Sequence, residues 1–360
     1  MSGAAKTFLL MAGGTGGHVF PALATADCLR EQGHRIEWLG SQKGIENRLV
    51  PAAGIVLHTI SVTGLRGKGR LSLLLAPFKL LRALWQALAV VRRVNPDAVM
   101  GMGGFASGPG GLAAWLLGKP LLVHEQNAIP GLTNKILARF GKRVMEAFPG
   151  AFAANFAALH TGNPVRGDIS SIAEPAERLA GREGAIRVLV VGGSLGAQAI
   201  NECLPKTLAM MAEDQRPEVW HQAGVNNIAA AEQAYQQAGV EVRLEPFIDD
   251  MQAAYDWADL VICRAGALTV SELAMAGVAS ILVPFPHAVD DHQTANGQFL
   301  SANDAAVLLP QKQMSPERLL QLLQQLGDRQ QLLAMAQRAR AVATPNATAV
   351  VAQQCLECAL

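Results

Sequence analysis

The sequence has few charged residues, few cysteines and no long uninterrupted apolar run. Only 16% of its 360 residues are charged and half are hydrophobic, a balance that excludes a disordered chain and is typical of a well-buried α/β enzyme. The five cysteines are odd in number and scattered, so they predict no disulfide framework. The pair Cys355 and Cys358 lacks a second pair and predicts neither a zinc nor a redox site. We therefore expect a reducing, cytoplasmic compartment and no metal or cofactor.

The length and the charge distribution predict two different halves. A chain of 360 residues exceeds one ordinary core, so we expect two domains of about 160 to 190 residues each. Residues 1–162 contain 17 Lys and Arg against 7 Asp and Glu, whereas residues 163–360 contain 13 against 22. A basic N-terminal half indicates a polyanionic partner, which could be nucleic acid, a phosphate ligand or an anionic membrane.

Two stretches repeat one pattern about 180 residues apart. Residues 7–18 read TFLLMAGGTGGH and residues 186–197 read IRVLVVGGSLGA, in each case an apolar run, a glycine-rich turn and the start of a helical pattern. A charge-free apolar run suits a parallel strand buried on both faces. The glycines bring backbone N–H groups close to a ligand, and the N-terminus of the next helix favours an anion. The pattern fits a diphosphate site, although a plain tight turn explains either copy alone.

Alternating strand and helix patterns predict the fold class, α/β with two Rossmann-like doubly wound parallel-sheet domains. In the first half we expect strands at 34–40 and 55–60, a helix over 21–32, and an irregular segment over 141–161. The expected strands of the second half are 186–191, 218–222, 240–245, 259–263, 279–283 and 305–309. The segment TGNPVR at 161–166 reads as the hinge between the halves, and we place the domains at 1–163 and 164–344. We expect the terminal helix, about 345–360, to pack back on the first domain.

Residues 64–93 are apolar and basic together. Pro77, Lys79, Arg82 and Gln86 interrupt the run, so it is too short to span a membrane. One interpretation is a core helix with a solvated back. The other, which the basic flank favours, is an interfacial anchor on anionic lipid. Its apolar residues would be Leu73, Leu74, Leu75, Phe78 and Trp85, and its basic residues Arg66, Lys68, Arg70, Lys79 and Arg82.

Polar or glycine-rich loops follow several predicted strands, where open α/β sheets bind ligands. Residues 97–111 hold six glycines, and residues 124–127 read HEQN. Near 263–277 we expect a helix that begins close to Thr269, and Thr269 with Glu272 can be read as a capping box or as ligand contacts. The loop 284–297 carries two histidines and two aspartates, but no spacing places three ligands on one rigid element, so a metal site is not predicted.

Eight loops in register resemble one family. They are GGTGGHVFPALA (13–24), GMGGFASGPGG (101–111), HEQNAIPGLTN (124–134), GNPVR (162–166), GGSLGAQAIN (192–201), FIDDM (247–251), CRAGALTVSE (263–272) and PFPHAVDDHQTAN (284–296). Together they resemble the family 28 glycosyltransferases of bacterial peptidoglycan synthesis, over essentially the whole chain. Leu195, where some relatives carry Gln, is a mild departure. The resemblance implies the GT-B fold, in which two such domains face a cleft.

The resemblance also implies an activity. It is the inverting transfer of N-acetylglucosamine (GlcNAc) from UDP-GlcNAc to the 4-hydroxyl of the muramyl sugar in undecaprenyl-diphospho-MurNAc-pentapeptide. It further implies peripheral attachment to the anionic cytoplasmic face of the bacterial inner membrane, contact with cell-wall synthesis and division proteins, and no nucleic-acid partner.

Site residues follow from the resemblance position by position. The nucleotide sugar is assigned to Thr15, Gly16, Gly17, Asn127, Arg166, Ser194, Ile248, Ala267, Leu268, Thr269, Glu272, Gln293 and Asn296. The lipid-linked acceptor is assigned to Gly14, Gly103, Gly104 and Phe105, and the membrane to Leu74, Leu75, Phe78, Lys79, Arg82 and Trp85.

Inverting transfer needs a base at the acceptor hydroxyl and stabilisation of the leaving diphosphate. We predict His18 as the base, because a histidine at the rim of a glycine loop can titrate near neutrality. Glu125 is the reserve candidate, and the alternative for His18 is a histidine that only orders the loop.

Three other functions remain open at this point. A UDP-GlcNAc 2-epimerase or a transferase with a soluble acceptor would use a similar site but has no need of residues 64–93. A non-catalytic, membrane-docked subunit that binds the nucleotide sugar would show binding without turnover. A dinucleotide-dependent oxidoreductase is disfavoured, because the second strands end in WLGS and HQAG without the acidic residue that would hold a ribose.

Overall fold

The structure is a computed structural model that describes residues 4–62, 75–193 and 196–359. The chain forms two compact units, one of Met1–Arg166 with Thr344–Leu360 and one of Gly167–Ala343. Each unit is built on a parallel β-sheet. The predicted α/β class with two Rossmann-like parallel-sheet domains is confirmed.

The first unit contains a sheet whose strands are all parallel. Its strands are β1 Thr7–Met11, β2 Arg35–Ser41, β3 Val56–Ile60, β4 Ala98–Gly101, β5 Leu121–Glu125, β6 Arg143–Glu146 and β7 Leu159–His160. Its helices are α1 Gly16–Glu31, α2 Glu46–Ala52, α3 Ala76–Val94, α4 Ser107–Leu116, α5 Leu132–Leu137 and, at the end of the chain, α15 Ala347–Cys358. The strand order is β3-β2-β1-β4-β5-β6-β7.

The two faces of this sheet are covered by different helices. Phe8 and Leu10 of β1 point to the cluster that contains α1 and α15, whereas Leu9 and Met11 point to the cluster that contains α3 and α4. This alternation follows from the two-residue period of a strand. The strand can be buried on both faces because its side chains carry no charge. The terminal helix α15 packs on α1, and Cys355 Sγ lies 3.4 Å from Met100 Sδ of β4.

The second unit repeats the plan. Its strands are β8 Arg187–Val191, β9 Glu218–Gln222, β10 Arg243–Glu245, β11 Leu260–Cys263, β12 Ala279–Leu282 and β13 Ala306–Leu308. Its helices are α6 Gly167–Ser170, α7 Pro175–Arg178, α8 Gln198–Ala209, α9 Ile228–Ala238, α10 Met251–Trp257, α11 Ala267–Ala276, α12 His292–Ser301, α13 Pro316–Gln325 and α14 Arg329–Ala341. The parallel strands have the order β10-β9-β8-β11-β12-β13.

Two predictions about local structure are wrong. The segment 141–161 is not irregular throughout, because it contains β6 and β7, which extend the sheet beyond β5. These strands have only four and two residues, too few to show a periodic pattern. Helix α1 begins at Gly16 rather than near Pro21, so Pro21 lies inside the helix. His18 therefore sits in the first turn of a helix and not in the loop.

Candidate active site

Each sheet has one point at which the strand order reverses, and the glycine loops lie there. In the first sheet this point is between β1 and β4, and in the second it is between β8 and β11. Doubly wound sheets bind ligands outside the carboxyl ends of the strands at such a point. The loops that follow these four strands are therefore the candidate binding loops, one pair in each unit.

The loop after β1 is fastened by a buried carboxylate. Glu46, fully buried, accepts hydrogen bonds from Gly14 N at 3.0 Å, Ser41 N at 3.1 Å and Ser41 Oγ at 2.7 Å. A Cβ on Gly13 would lie 2.6 Å from Glu46 Oε1, so only glycine lets the loop approach the carboxylate. Glu46 is not among the predicted site residues, since its only signal in the sequence is one acidic residue five positions after β2.

The loops after β1 and β4 lie against each other. A Cβ on Gly104, whose φ is +86°, would lie 2.5 Å from Gly13 O. Ser107 at the start of α4 donates from Oγ to Met11 O at 3.0 Å and to Gly103 O at 2.7 Å. Phe105 between them is 53% exposed. The structure thus brings the predicted acceptor residues Gly14, Gly103, Gly104 and Phe105 together.

Helices α1 and α4 begin at these loops, and neither carries an acidic residue in its first turn. The predicted contacts Thr15, Gly16 and Gly17 form the N-cap and first residues of α1, and Thr15 makes no side-chain cap hydrogen bond. The N–H groups of a first turn have no partner within the helix and favour an anion. This end of the unit is suited to a phosphate group.

His18, half-buried, lies between the two loops and the tip of β5. Its Nδ1 is 2.8 Å from Gln126 Oε1. Gln126 Nε2 in turn donates to Nδ1 and to the backbone oxygen of His124, both at 3.1 Å. His124 is fully buried, and desolvation lowers its pKa to about 4, so its ring is neutral near pH 7.

Glu125 organises the loop that follows β5. Its carboxylate, almost fully buried, accepts from Asn127 N at 2.9 Å and Asn127 Nδ2 at 3.1 Å. It also accepts from Gly131 N at 3.0 Å and from Asn134 Nδ2 at 2.9 Å. Both oxygens are engaged, and the carboxylate holds Asn127 in place. This geometry favours a positioning role for Glu125 over the reserve role of base.

Arg166 is the last residue of the first segment of this unit. Its guanidinium lies over the ring of Phe20 of α1, with Cζ 5.6 Å from the ring centroid. The contact places a cation beside α1, two residues along the helix from His18. This contact does not test the interaction of Arg166 with a diphosphate, which stays a prediction.

In the second unit the glycine loop after β8 packs closely on the backbone of its neighbours. A Cβ on Gly196, whose φ is +74°, would lie 2.4 Å from Ala223 O, and one on Gly192 would lie 2.8 Å from Ala197 N. The loop leads into α8, whose first turn carries no acidic residue. Ser194, predicted to bind the diphosphate, lies outside the described residues.

The loop after β11 leads into α11 at Ala267, with Gly266 as N-cap and no side-chain cap. The alternative of a capping box from Thr269 to Glu272 is therefore wrong, because Thr269 is already inside the first turn. Glycine at the N-cap leaves the first N–H groups free of a side-chain cap, as in α1. The predicted residues Ala267, Leu268 and Thr269 provide this first turn.

The other residues of the second unit that are predicted to bind the nucleotide sugar are mostly buried. Glu272 is buried, and Tyr255 donates to its Oε2 at 3.1 Å. Ile248 is buried just before α10. Gln293 accepts from Phe285 N at 2.9 Å, and the buried Asn296 donates to Ala265 O at 3.3 Å. Asn296 therefore lies beside the loop that carries Gly266.

Helix α3 presents its large apolar side chains outwards. Phe78 is 71% and Trp85 68% exposed, while the buried face consists of Ala76, Ala83, Ala87, Val90 and Val91. The helix therefore packs into the core and leaves its back to solvent, as the core-helix interpretation expects, but Phe78 and Trp85 lie on the exposed side and not in the core. An apolar groove of about 560 Å³ runs between α3, α4 and α5. Leu75, Lys79 and Arg82 are also exposed, and Leu74 lies outside the described residues. Within the described ranges, no helix is long and apolar enough to cross a membrane.

Comparison with known proteins agrees with this architecture. A solved glycosyltransferase of kitacinnamycin shares the fold, with a TM-score of 0.69 at 15% identity over 98% of this chain and all of that chain. This structure shows the fold alone, and the family matches show that the two parallel-sheet units are those of the GT-B glycosyltransferases. Residues 8–146 match the glycosyltransferase family 28 N-terminal domain, and residues 187–354 match the C-terminal domain. The chain belongs to glycosyltransferase family 28.

Relatives within this family are similar over nearly their full length. A protein of Marinobacter nauticus is 59% identical over 98% of both chains, and one of Nitrosospira multiformis is 55% identical over 98% of both. Both are named UDP-N-acetylglucosamine–N-acetylmuramyl-(pentapeptide) pyrophosphoryl-undecaprenol N-acetylglucosamine transferase. The crystal structure of Acinetobacter baumannii MurG matches with a TM-score of 0.85 at 44% identity, over 98% of this chain and 99% of that chain.

Proposed function

We propose that this glycosyltransferase moves GlcNAc from UDP-GlcNAc to the 4-hydroxyl of the muramyl sugar in undecaprenyl-diphospho-MurNAc-pentapeptide, with inversion. The observation that carries the proposal is the 59% identity over 98% of both chains to a relative named for this transfer. At that coverage, the similarity extends over both units. Contact with cell-wall synthesis and division proteins stays a prediction.

The second unit binds the nucleotide in this proposal. Its uncapped helix α11 and the glycine loop before α8 offer N–H groups to the diphosphate. We assign the uracil to the backbone near Ile248, the ribose to Glu272 and the sugar to Gln293 and Asn296. We further assign donor contacts to Ser194, Ala267, Leu268 and Thr269, and in the first unit to Thr15, Gly16, Gly17, Asn127 and Arg166.

The reaction is a single displacement at the anomeric carbon. The 4-hydroxyl of the acceptor attacks C1 of GlcNAc, the bond from C1 to the diphosphate oxygen breaks, and UDP leaves. His18 takes the hydroxyl proton, because it is the half-buried histidine between the two loops assigned to the acceptor. The helix N-termini stabilise the charge that develops on the diphosphate.

The lipid end of the acceptor places the enzyme at a membrane surface. We propose that Leu75, Phe78 and Trp85 enter the headgroup region and that Lys79 and Arg82 meet anionic lipid on the cytoplasmic face of the inner membrane. The exposed apolar face of α3 supports this docking, because a monomeric surface rarely leaves such large side chains in water. Leu74 belongs to the same predicted segment.

The first experiment is UDP release by the purified chain from UDP-GlcNAc, with and without a short-chain lipid-diphosphate muramyl-pentapeptide, in the presence of EDTA. We expect release that depends on the acceptor and persists in EDTA. Release without acceptor would indicate an epimerase or hydrolase instead. Nucleotide binding with no release would favour a non-catalytic subunit that delivers the nucleotide sugar to a partner.

A further inference from the structure

A chain of hydrogen bonds connects the imidazole of His18 to a backbone carbonyl at the other side of the sheet tip. His18 Nδ1 lies 2.8 Å from Gln126 Oε1, and Gln126 Nε2 lies 3.1 Å from His124 Nδ1. His124 Nε2 lies 3.0 Å from Gly162 O and 3.2 Å from Thr161 Oγ1. Each partner in this chain limits which atom of the next one can carry a proton.

The direction of the chain is set at Gly162. A carbonyl oxygen can only accept, so His124 Nε2 must carry the proton. Thr161 Oγ1 donates to the same carbonyl at 2.9 Å, which leaves the hydroxyl oxygen as an acceptor for His124 as well. Burial lowers the pKa of His124 to about 4, so the ring carries only this one proton near pH 7. Its Nδ1 is then a lone-pair acceptor.

Gln126 transmits this constraint. Its amide group faces two acceptors on His124, namely Nδ1 and the backbone oxygen, both at 3.1 Å. The NH2 group must therefore point to His124, because the flipped amide would place Oε1 against two acceptors. With the NH2 group fixed, Oε1 faces His18. An amide oxygen can only accept, so it requires a proton on Nδ1 of His18.

The ring of His18 is also held in place sterically. Gly103 has a φ of +96°, and a Cβ at this position would lie 2.7 Å from His18 Nδ1. The bare backbone of Gly103 therefore forms one wall of the space that the ring occupies. Gln126 is fully buried, so its amide cannot rotate into solvent.

We propose that Gln126 and His124 are positioning residues that fix His18 in the tautomer with the proton on Nδ1, so that Nε2 is the nitrogen that accepts the proton of the acceptor hydroxyl. The kinetic part of this inference rests on the proposed function, whereas the tautomer itself is a property of the free protein. Selecting the reactive tautomer matters because a base with the wrong nitrogen protonated cannot take the proton.

The decisive measurement is the ¹⁵N spectrum of the full chain labelled at histidine, recorded at about pH 8, above the ordinary histidine pKa of about 6.5. Long-range couplings distinguish protonated from unprotonated ring nitrogens. We expect His18 to show a protonated Nδ1 and an unprotonated Nε2, with its signals assigned by their loss in His18→Gln. His34 is an internal control with the opposite tautomer, because its Nδ1 accepts from Lys6 N at 3.2 Å. A wild-type spectrum with the proton on Nε2 of His18 would overturn the proposal.

The matched variants are Gln126→Met, which keeps the length of the side chain but removes the amide, and Gln32→Met, which removes an exposed glutamine after α1. We expect Gln126→Met to change the nitrogen pattern of His18 and to lower kcat at least about 10-fold. The KM for UDP-GlcNAc should change less than about twofold, since Gln126 is not among the residues assigned to the nucleotide sugar. Gln32→Met should match the wild type.

An unchanged kcat in a folded Gln126→Met would also overturn the proposal. If the wild type shows no transfer at all, the proposed function fails, and the spectrum still decides the tautomer.

Discussion

Gly103 lies against the imidazole of His18, such that a Cβ on this glycine would be 2.7 Å from Nδ1 of the ring. No side chain fits between them. Gly103→Ala must therefore displace either the ring or the loop after β4, and both belong to the proposed acceptor site. We expect kcat to fall about 10-fold or more, because small displacements of a catalytic group are costly.

The matched control for Gly103→Ala is Gly33→Ala. Gly33 has a similar positive φ, +86°, but nothing lies within 4 Å of a Cβ built there. Both variants bear the backbone strain of alanine at such a φ, about 1 kcal/mol or more. Steady-state kinetics of both variants separate that strain from the steric effect on His18. Equal kcat values in the two variants would contradict the assignment.

Removal of the imidazole tests the base directly. We expect His18→Ala to lower kcat by about 10²-fold or more, the usual loss for general-base catalysis. The KM for UDP-GlcNAc should change little, because we assign the nucleotide mainly to the second unit. His34→Ala, at another histidine of the first unit, is the control. A wild-type kcat in His18→Ala would remove the residue from the mechanism.

Glu46 offers a test of how the first glycine loop is held. Glu46→Gln replaces an acceptor oxygen by an NH2 group that faces Gly14 N, Ser41 N or Ser41 Oγ. We expect a loss of about 1–3 kcal/mol in the free energy of unfolding, the cost of leaving a buried polar group unsatisfied. Urea titration measures it. Glu31→Gln, exposed at the end of α1, should stay within about 0.5 kcal/mol of the wild type, and an equally small effect at Glu46 would refute the role.

The strands were predictable because their signal is local. Val188, Leu189 and Val190 form a charge-free apolar run. Such a short run with glycines after it has few structural alternatives to a buried parallel strand. The face that α3 presents was not predictable in the same way. Its pattern defines two faces, but only the packing of Ala83 and Ala87 against the sheet decides that the small residues point inwards.

The polar site was only partly predictable. The cluster at 124–127 was identified from its place at the end of a strand, and the structure places it beside His18. The role of each residue in the cluster depends on contacts with residues distant in sequence, such as His124 with Gly162 and Glu125 with Asn134. No spacing rule connects these residues, since they meet only when the strands pair.

A pH dependence of stability follows from His221 in the second unit. Desolvation lowers its pKa to about 3, and its ring nitrogens contact Tyr235 Oη at 2.8 Å and Asn201 Oδ1 at 3.0 Å. Well above pH 6.5, the ordinary histidine pKa, the ring is neutral in both states, so pH has no effect through this group. Below pH 6.5 the unfolded chain binds a proton that the folded chain does not, so stability falls as the pH falls.

The measurement is urea unfolding at pH 6.5 and pH 4.5 for the wild type and for His221→Gln. We expect the fall in stability of the variant to be smaller by roughly 2–3 kcal/mol, about 1.4 kcal/mol per pH unit for one proton. His287→Gln, an exposed histidine of the same unit, should reproduce the wild-type dependence. An identical fall in His221→Gln would show that His221 is protonated in the folded state.

The exposed face of α3 makes the membrane proposal testable by flotation on vesicles that contain anionic lipid. Phe78 and Trp85 are the most exposed large apolar side chains of the helix, and burial of each contributes about 1.5 kcal/mol or more. The double variant Phe78→Ser and Trp85→Ser should therefore bind about 100-fold more weakly, whereas Met210→Ser, at an exposed residue of the second unit, should bind as the wild type does.

Neutralising Lys68, Arg70, Lys79 and Arg82 should weaken binding to anionic vesicles and reduce its dependence on salt. Undiminished binding after neutralisation would exclude the electrostatic part of the proposal, and undiminished binding of the serine variant would exclude the apolar part.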